Sequence, residues 1–173
     1  AEAVSMLVDK LEQAISIRFD THDDNDGSYY WCKKIEHVSA DGSYEIRPVL
    51  IAYLRDFLVE AVDHGDLDLS SALKLLPSGK YLVFNRLALF LIGRFVGLNR
   101  ELARTSIMSI SNIHNSKLEH EYVLLHERGY SSLSENDKLV LLEEIFKGPG
   151  NDEIFTDPDA PTESDLKFKE LRI

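Results

Sequence analysis

The chain has one cysteine, one tryptophan and two methionines among its 173 residues. With no second thiol in the chain, Cys32 cannot form an intramolecular disulfide, so the fold must rest on buried apolar surface rather than on covalent staples. Hydrophobic residues make up 44% of the sequence, which is enough for a chain of this length to build one ordinary core. A lone thiol, read as buried, and the lack of a charged, apolar, small-residue leader predict a reducing, cytoplasmic setting. Long hydrophobic runs are missing too. The most apolar stretch, residues 81–96, is too short to cross a bilayer and carries Arg86 and Arg94. It predicts a buried helix and no membrane partner. Period-two alternation with hairpin signals is absent, which excludes a β architecture.

Positive charge is also scarce: 19 Lys and Arg stand against 30 Asp and Glu, for a net charge of -11. An acidic surface repels phosphate backbones, so nucleic acid is not expected as a partner. The imbalance is uneven. Residues 1–79 carry 7 basic against 15 acidic side chains, 80–118 carry 6 against 1, and 119–173 carry 6 against 14. The basic middle is expected to be neutralised internally, by acids on the helices that flank it.

What is present is helical periodicity. Apolar residues recur at steps of three to four along 3–19, 48–62, 66–76, 81–96, 99–111, 117–128 and 134–147. Residues 28–38 read as a short aromatic helix. Pro48 suits a first turn, Asn99 an N-cap, and Ser134-Glu-Asn-Asp137 a capping box. The expected inward faces include Leu54, Phe57 and Leu58 in one helix and Leu139, Leu142, Ile145 and Phe146 in another. The predicted fold is all-α: six to eight helices in successive antiparallel pairs, as a right-handed α-solenoid of the HEAT or armadillo kind or as an irregular helical bundle. Residues 1–150 form its single domain, 151–161 an acidic, proline-containing linker, and 162–173 the start of a further helix or a tail. The helix of 81–96 is the expected organiser. Projected at 100° per residue it shows one narrow strip of Asn85, Arg86 and Gly93, and it places Arg94 in an apolar sector where an acidic partner is required.

Most reaction chemistries fail on spacing. The stretch Asp20-Thr-His-Asp-Asp-Asn-Asp-Gly27 suggests a calcium loop, yet Lys33 stands where a bidentate acid is needed. His120-Glu121 lacks a second histidine four residues on, and His114, His120 and His126 fall on different helix faces, so no metal is expected. Lys74 and Tyr81 occupy the glycine and hydroxyl positions that a phosphate loop around Gly79-Lys80 would require. Arginine-to-histidine spacings are too long for an all-α ribonuclease of the HEPN kind. No catalytic residue and no cofactor are therefore assigned. The remaining constellation is Arg86, Arg94, Arg100 and Arg104 with Glu119 and Glu121, read as structural ion pairs or an anion site. One of the two glutamates is expected to bond an arginine of the group.

Several fragments, Trp31-x-x-x-Ile35-Glu36, Leu54-Arg55-Asp56, Arg86-Leu-Ala88, His120-Glu121-Tyr122 and Gly148-Pro149, occur in an order that resembles the helical-repeat region downstream of the ATPase in large bacterial STAND-type NTPases. The similarity spans about residues 28–150. It implies a multidomain cytoplasmic protein, often in antiviral defence, whose repeats act as sensor or scaffold while a P-loop module binds ATP. No catalytic residue carries over to this chain. The function expected is thus a non-catalytic protein-interaction, sensor or scaffold module, a fragment of a larger protein, engaging a protein partner or other domains of its own chain. The alternative is a small helical enzyme or ligand-binding domain with its pocket around Arg86, Arg94 and Glu121.

Overall fold

The computed structural model describes residues 2–17, 28, 31–32, 34–39, 45–77, 79 and 81–148, and these residues form an all-α structure. Eight α-helices occur among them: α1 (Glu2–Ser16), α2 (Ile46–Asp63), α3 (Leu69–Lys74), α4 (Leu82–Arg94), α5 (Arg100–Ile107), α6 (Ile110–Ile113), α7 (Glu119–Gly129) and α8 (Glu135–Lys147). The calcium-like loop of 20–27, the acidic linker of 151–161 and the tail of 162–173 lie outside the described residues.

Side-chain caps mark several helix starts. Asp68 accepts from the Ser71 amide at 2.9 Å, and Asn99 does the same for Leu102 at 2.9 Å. Ser134 and Asp137 complete the expected capping box. Gly148, at φ 69°, ends α8 in a conformation that favours glycine.

α4 lies between two apolar clusters and belongs to both. Val83, Phe84, Leu87, Phe90 and Leu91 pack with α1, α2, α3 and the segment around Ile35. Leu89 and Ile92 face α5, α7, Leu133 and Leu141. Each fully buried side chain of this size contributes roughly 1.5–3 kcal/mol, which makes α4 the helix on which both halves depend.

The pairing of helices departs from the expected order. α1 packs on α2 as a sequence-adjacent pair, but α4 packs most extensively against α7, not against α5. Gly93 explains this choice. A Cβ at that position would lie 3.2 Å from the Leu125 Cα, a tight contact that glycine avoids where the two backbones approach. Because Arg86 meets Glu121 and Gly93 meets Leu125, the two helices cross in the same rather than the opposite sense.

Three expected faces are also corrected. Where a helix over 28–38 is expected, the described residues are in 3-10 geometry at Ser28, Trp31 and Ile35–His37, with extended backbone at Lys34 and Val38. Phe57 is 44% exposed, because α2 turns Ile51, Leu54, Leu58 and Val62 inward. In α8 the residues expected inside are outside: Leu139, Leu142, Ile145 and Phe146 are exposed, and Asp137 and Leu141 are buried. The rotation of α8 follows its polar anchors. Arg104 donates to both carboxylate oxygens of Asp137 at 2.8 and 2.6 Å, Leu141 enters the core one turn later, and Glu144 meets His114 at 3.3 Å. Residues 137, 141 and 144 form one helical face, which turns the apolar seam of 139, 142 and 146 to solvent.

Candidate functional site

Of the six residues expected to form an ion-pair or anion site, two come together. Arg86, in the second turn of α4, donates from Nε to Glu121 Oε2 at 2.7 Å and from Nη2 to Oε1 at 2.9 Å. The pair is bidentate and closed, with side-chain exposures of 3% and 1%. Glu121 sits in the first turn of α7, so the positive end of that helix adds to the field that favours its charge.

Main-chain groups complete the arrangement. The Ile35 amide donates to Glu121 Oε1 at 3.0 Å, and Arg86 Nη1 donates to the Cys32 carbonyl at 2.8 Å. On the other side of the same segment, Arg55 Nη1 donates to the carbonyls of Ile35, Glu36 and Val38 at 2.8, 3.2 and 2.6 Å. Arg128 reaches Glu36 at 2.9 Å. Cys32 and residues 34–38 are thereby tied by side chains to α2, α4 and α7. A segment with little regular secondary structure has its backbone groups satisfied from neighbouring helices instead of from its own turns.

The electrostatics follow from burial. Burial disfavours the charged form of Arg86, but the hydrogen bonds and charge of Glu121 outweigh it and hold the guanidinium above its ordinary value. Burial pushes the Cys32 thiol up, against the opposing influence of Arg86 3.8 Å from Sγ. Cys32 is thus a neutral buried thiol, not an activated nucleophile.

The other four expected residues lie elsewhere. Arg94 is the last residue of α4, and its side chain is 53% exposed, at 3.9 Å from Asp63. The expectation that it is covered fails because α4 stops there: Phe95 leaves helical geometry and takes the buried position, and the guanidinium extends past the Phe95 ring to solvent. Of the strip of Asn85, Arg86 and Gly93, the last two face α7, whereas Asn85 accepts from the Gly79 amide at 3.3 Å, so the buried charge is Arg86. Arg104 pairs with Asp137 and, at 3.1 Å, with Glu101. Its guanidinium holds the Asp137 carboxyl well below the usual carboxylate range. Arg100 and Glu119 are exposed. Three arginines of the basic middle therefore meet acids from the flanking segments: Arg86 with Glu121, Arg94 loosely with Asp63, and Arg104 with Asp137.

Sequence reasoning missed Arg55, which reads as an off-face surface residue, and the main-chain groups of Cys32 and Ile35, which carry no signal in side-chain pattern. Asp137 was legible as a helix cap but not as a partner for Arg104. Beside the pair lies a shallow hollow of about 380 Å³ lined by Trp31, Cys32, Lys34, His37, Val38 and Pro48. A second, of about 280 Å³, is lined by residues of α1 and α2, Phe57 among them, and by His64, Asp66 and Leu67. Among the described residues no three His, Cys, Asp or Glu side chains come together to hold a metal ion. No helix among them is long and apolar enough to cross a membrane.

Neither family models, nor curated proteins, nor solved structures gave a match to this chain.

Proposed function

We infer that this chain is a non-catalytic protein-interaction or scaffold module, working within a larger bacterial polypeptide such as an NTPase of the STAND type. The observation that carries this reading is the division of its residues. The strongest polar groups, Arg86 and Glu121, are spent on each other and on the backbone of 32–38, whereas large apolar side chains face outward on both sides of α4. On one side Tyr53 and Phe57 of α2 are 49% and 44% exposed; on the other, α8 presents Leu139, Leu142 and Phe146. Contiguous apolar surface of this kind is a feature of sites where another polypeptide docks. The hollows formed by the described residues beside the pair and between α1 and α2 are shallow, which supports the same reading.

The resemblance to a repeat region is supported by where its fragments meet. Ile35, Glu36, Arg55, Arg86 and Glu121 belong to four of the five fragments, and they converge on the one polar cluster that joins α2, α4 and α7. They act as parts of a packing unit, which suits a scaffold role.

The test places a photoreactive phenylalanine analogue at position 57 or 146 of the natural full-length polypeptide in its own cells. Adducts to a polypeptide surface at either position are expected. Phosphate or nucleotide binding that is measurable by calorimetry and abolished by Glu121→Gln in a folded protein, with no adduct at either position, would sink the interaction reading.

A further inference from the structure

Where α1 begins and α2 ends, the two helices leave a groove of about 280 Å³. Its walls combine two kinds of side chain. Phe57 and Ala61 of α2, Val4 of α1 and Leu67 supply apolar surface, with Phe57 44% exposed. Glu60, His64 and Asp66 line the same groove and are exposed. Positions 57, 60, 61 and 64 share one face of α2, so an aromatic ring and a carboxylate stand side by side there.

The carboxylates of this groove lack what other acids of the fold have. Glu36, Glu121, Asp137 and Glu144 each meet a basic side chain. Among the described residues none lies within ion-pair distance of Glu60 or Asp66, and Asp63, which Arg94 approaches at 3.9 Å, is on another side of α2. α2 also ends here, so the negative end of its dipole lies beside the groove, while Glu2 in the first turn of α1 answers the positive end of that helix. The field therefore favours a cation, and the described fold does not supply one.

The interaction reading leaves the chemistry of the partner open, and the inference that follows rests on that reading. We propose that this groove docks a segment of another polypeptide in which an arginine or lysine stands next to a leucine or phenylalanine. The apolar side chain covers Phe57 and Ala61, and the cation pairs with Glu60 and Asp66. Both halves are needed. A small polycation such as spermine would leave the Phe57 ring in water, and a purely apolar segment would desolvate carboxylates without pairing them. Acidic peptides, nucleotides and anionic lipid surfaces are repelled. Size points the same way, since the volume falls just under the range of about 300–1,000 Å³ for small-molecule sites and suits a peptide side chain better than a cofactor.

The probe is a phage-displayed library of random peptides selected on the full chain. Enriched sequences are expected to place Arg or Lys beside Leu or Phe, and synthetic copies of them should bind with an affinity that falls as salt rises. Glu60→Lys/Asp66→Lys should weaken that binding by on the order of tenfold or more, and Phe57→Ser by a similar factor. All three positions are exposed, so the helical circular dichroism should not change. The control Glu127→Lys/Glu143→Lys makes the same change of net charge at exposed acids of α7 and α8, and should leave the affinity nearly unchanged. Enriched sequences without a cation, binding that spermine matches, binding indifferent to the groove variants, or no enriched sequence at all overturns the proposal. Peptides that lose affinity only with Leu139→Asp on α8 overturn the groove and leave the interaction reading standing. Adducts at position 146 of the natural polypeptide, with no selected peptide at the groove, have the same meaning.

Discussion

Replacing Glu121 by glutamine tests whether the buried pair holds the fold together. The substitution preserves shape and removes one charge. Glu121 accepts three hydrogen bonds, two from Arg86 and one from the Ile35 amide, and glutamine has a single acceptor oxygen to offer. Whichever way its amide turns, an N–H faces a donor, and the guanidinium of Arg86 is left charged and desolvated. Removing one partner of a buried pair costs about 3–5 kcal/mol, against a total stability of roughly 5–15 kcal/mol for a domain. A melting temperature lower by on the order of 10 °C is expected, together with a urea midpoint displaced to lower denaturant. Both are readable by circular dichroism at the helical band. The double variant Arg86→Met/Glu121→Leu should be less destabilised than the sum of its two single variants, since neither charge is stranded. It should still fall short of the native chain, because the Ile35 amide and the Cys32 carbonyl lose their partners at about 1–3 kcal/mol each. Glu121→Gln within about 0.5 kcal/mol of the native chain, or a double variant as costly as the summed singles, would refute the reasoning.

Three further outcomes follow from the packing. Arg94→Ala should change stability by no more than about 0.5 kcal/mol, because the side chain is more than half exposed and its contact with Asp63 is loose; parallel melts with Arg86→Ala check the contrast. Gly93→Ala should destabilise, since the new methyl meets the α7 backbone, and overpacking of about 1–3 kcal/mol exceeds the helix-propensity gain of about 1 kcal/mol. Gly97→Ala, with nothing within 4 Å of the added carbon, is the neutral control in the same denaturation series. Tyr122, buried with its hydroxyl donating to the Ile107 carbonyl at 2.8 Å, has its phenol pushed up to about 12 by burial. A raised phenol favours the folded state fully below pH 10, and that contribution is lost as the pH rises from about 10 to 12. Absorbance titration should show a late-ionising tyrosine that Tyr122→Phe removes.

Much of the architecture was legible in side-chain pattern. Apolar spacing predicted the helices, and Asn99 and Ser134-x-x-Asp137 predicted two of the caps. The bond expected between an arginine of the 86–104 group and a nearby glutamate is present as Arg86 with Glu121. Which arginine is buried was not legible. Arg86 shares one narrow polar strip with Asn85 and Gly93, and it is Arg86 and Gly93 of that strip that meet α7. The face of α8 was misread for a related reason. Periodicity measures how amphipathic a helix is, whereas the bond from Arg104 to Asp137, 33 residues apart, decides which side docks. The backbone acceptors on residues 32–38 had no sequence signal at all, since they depend on where distant helices place Arg55 and Arg86.

The clasp around residues 32–38 has a kinetic consequence. Its side-chain hydrogen bonds join positions 17 to 92 apart in sequence, and the 3-10 turn supplies few bonds of its own. The contacts made by Arg86 and Glu121 close only once α4 and α7 are in place, because loop-closure entropy must first be overcome. Residues 32–38 should therefore join the native structure late in folding, with φ-values near zero. Once joined, the Ile35 amide cannot reach solvent unless α7 leaves, so its hydrogen-exchange rate should report the opening of the whole array rather than local fraying.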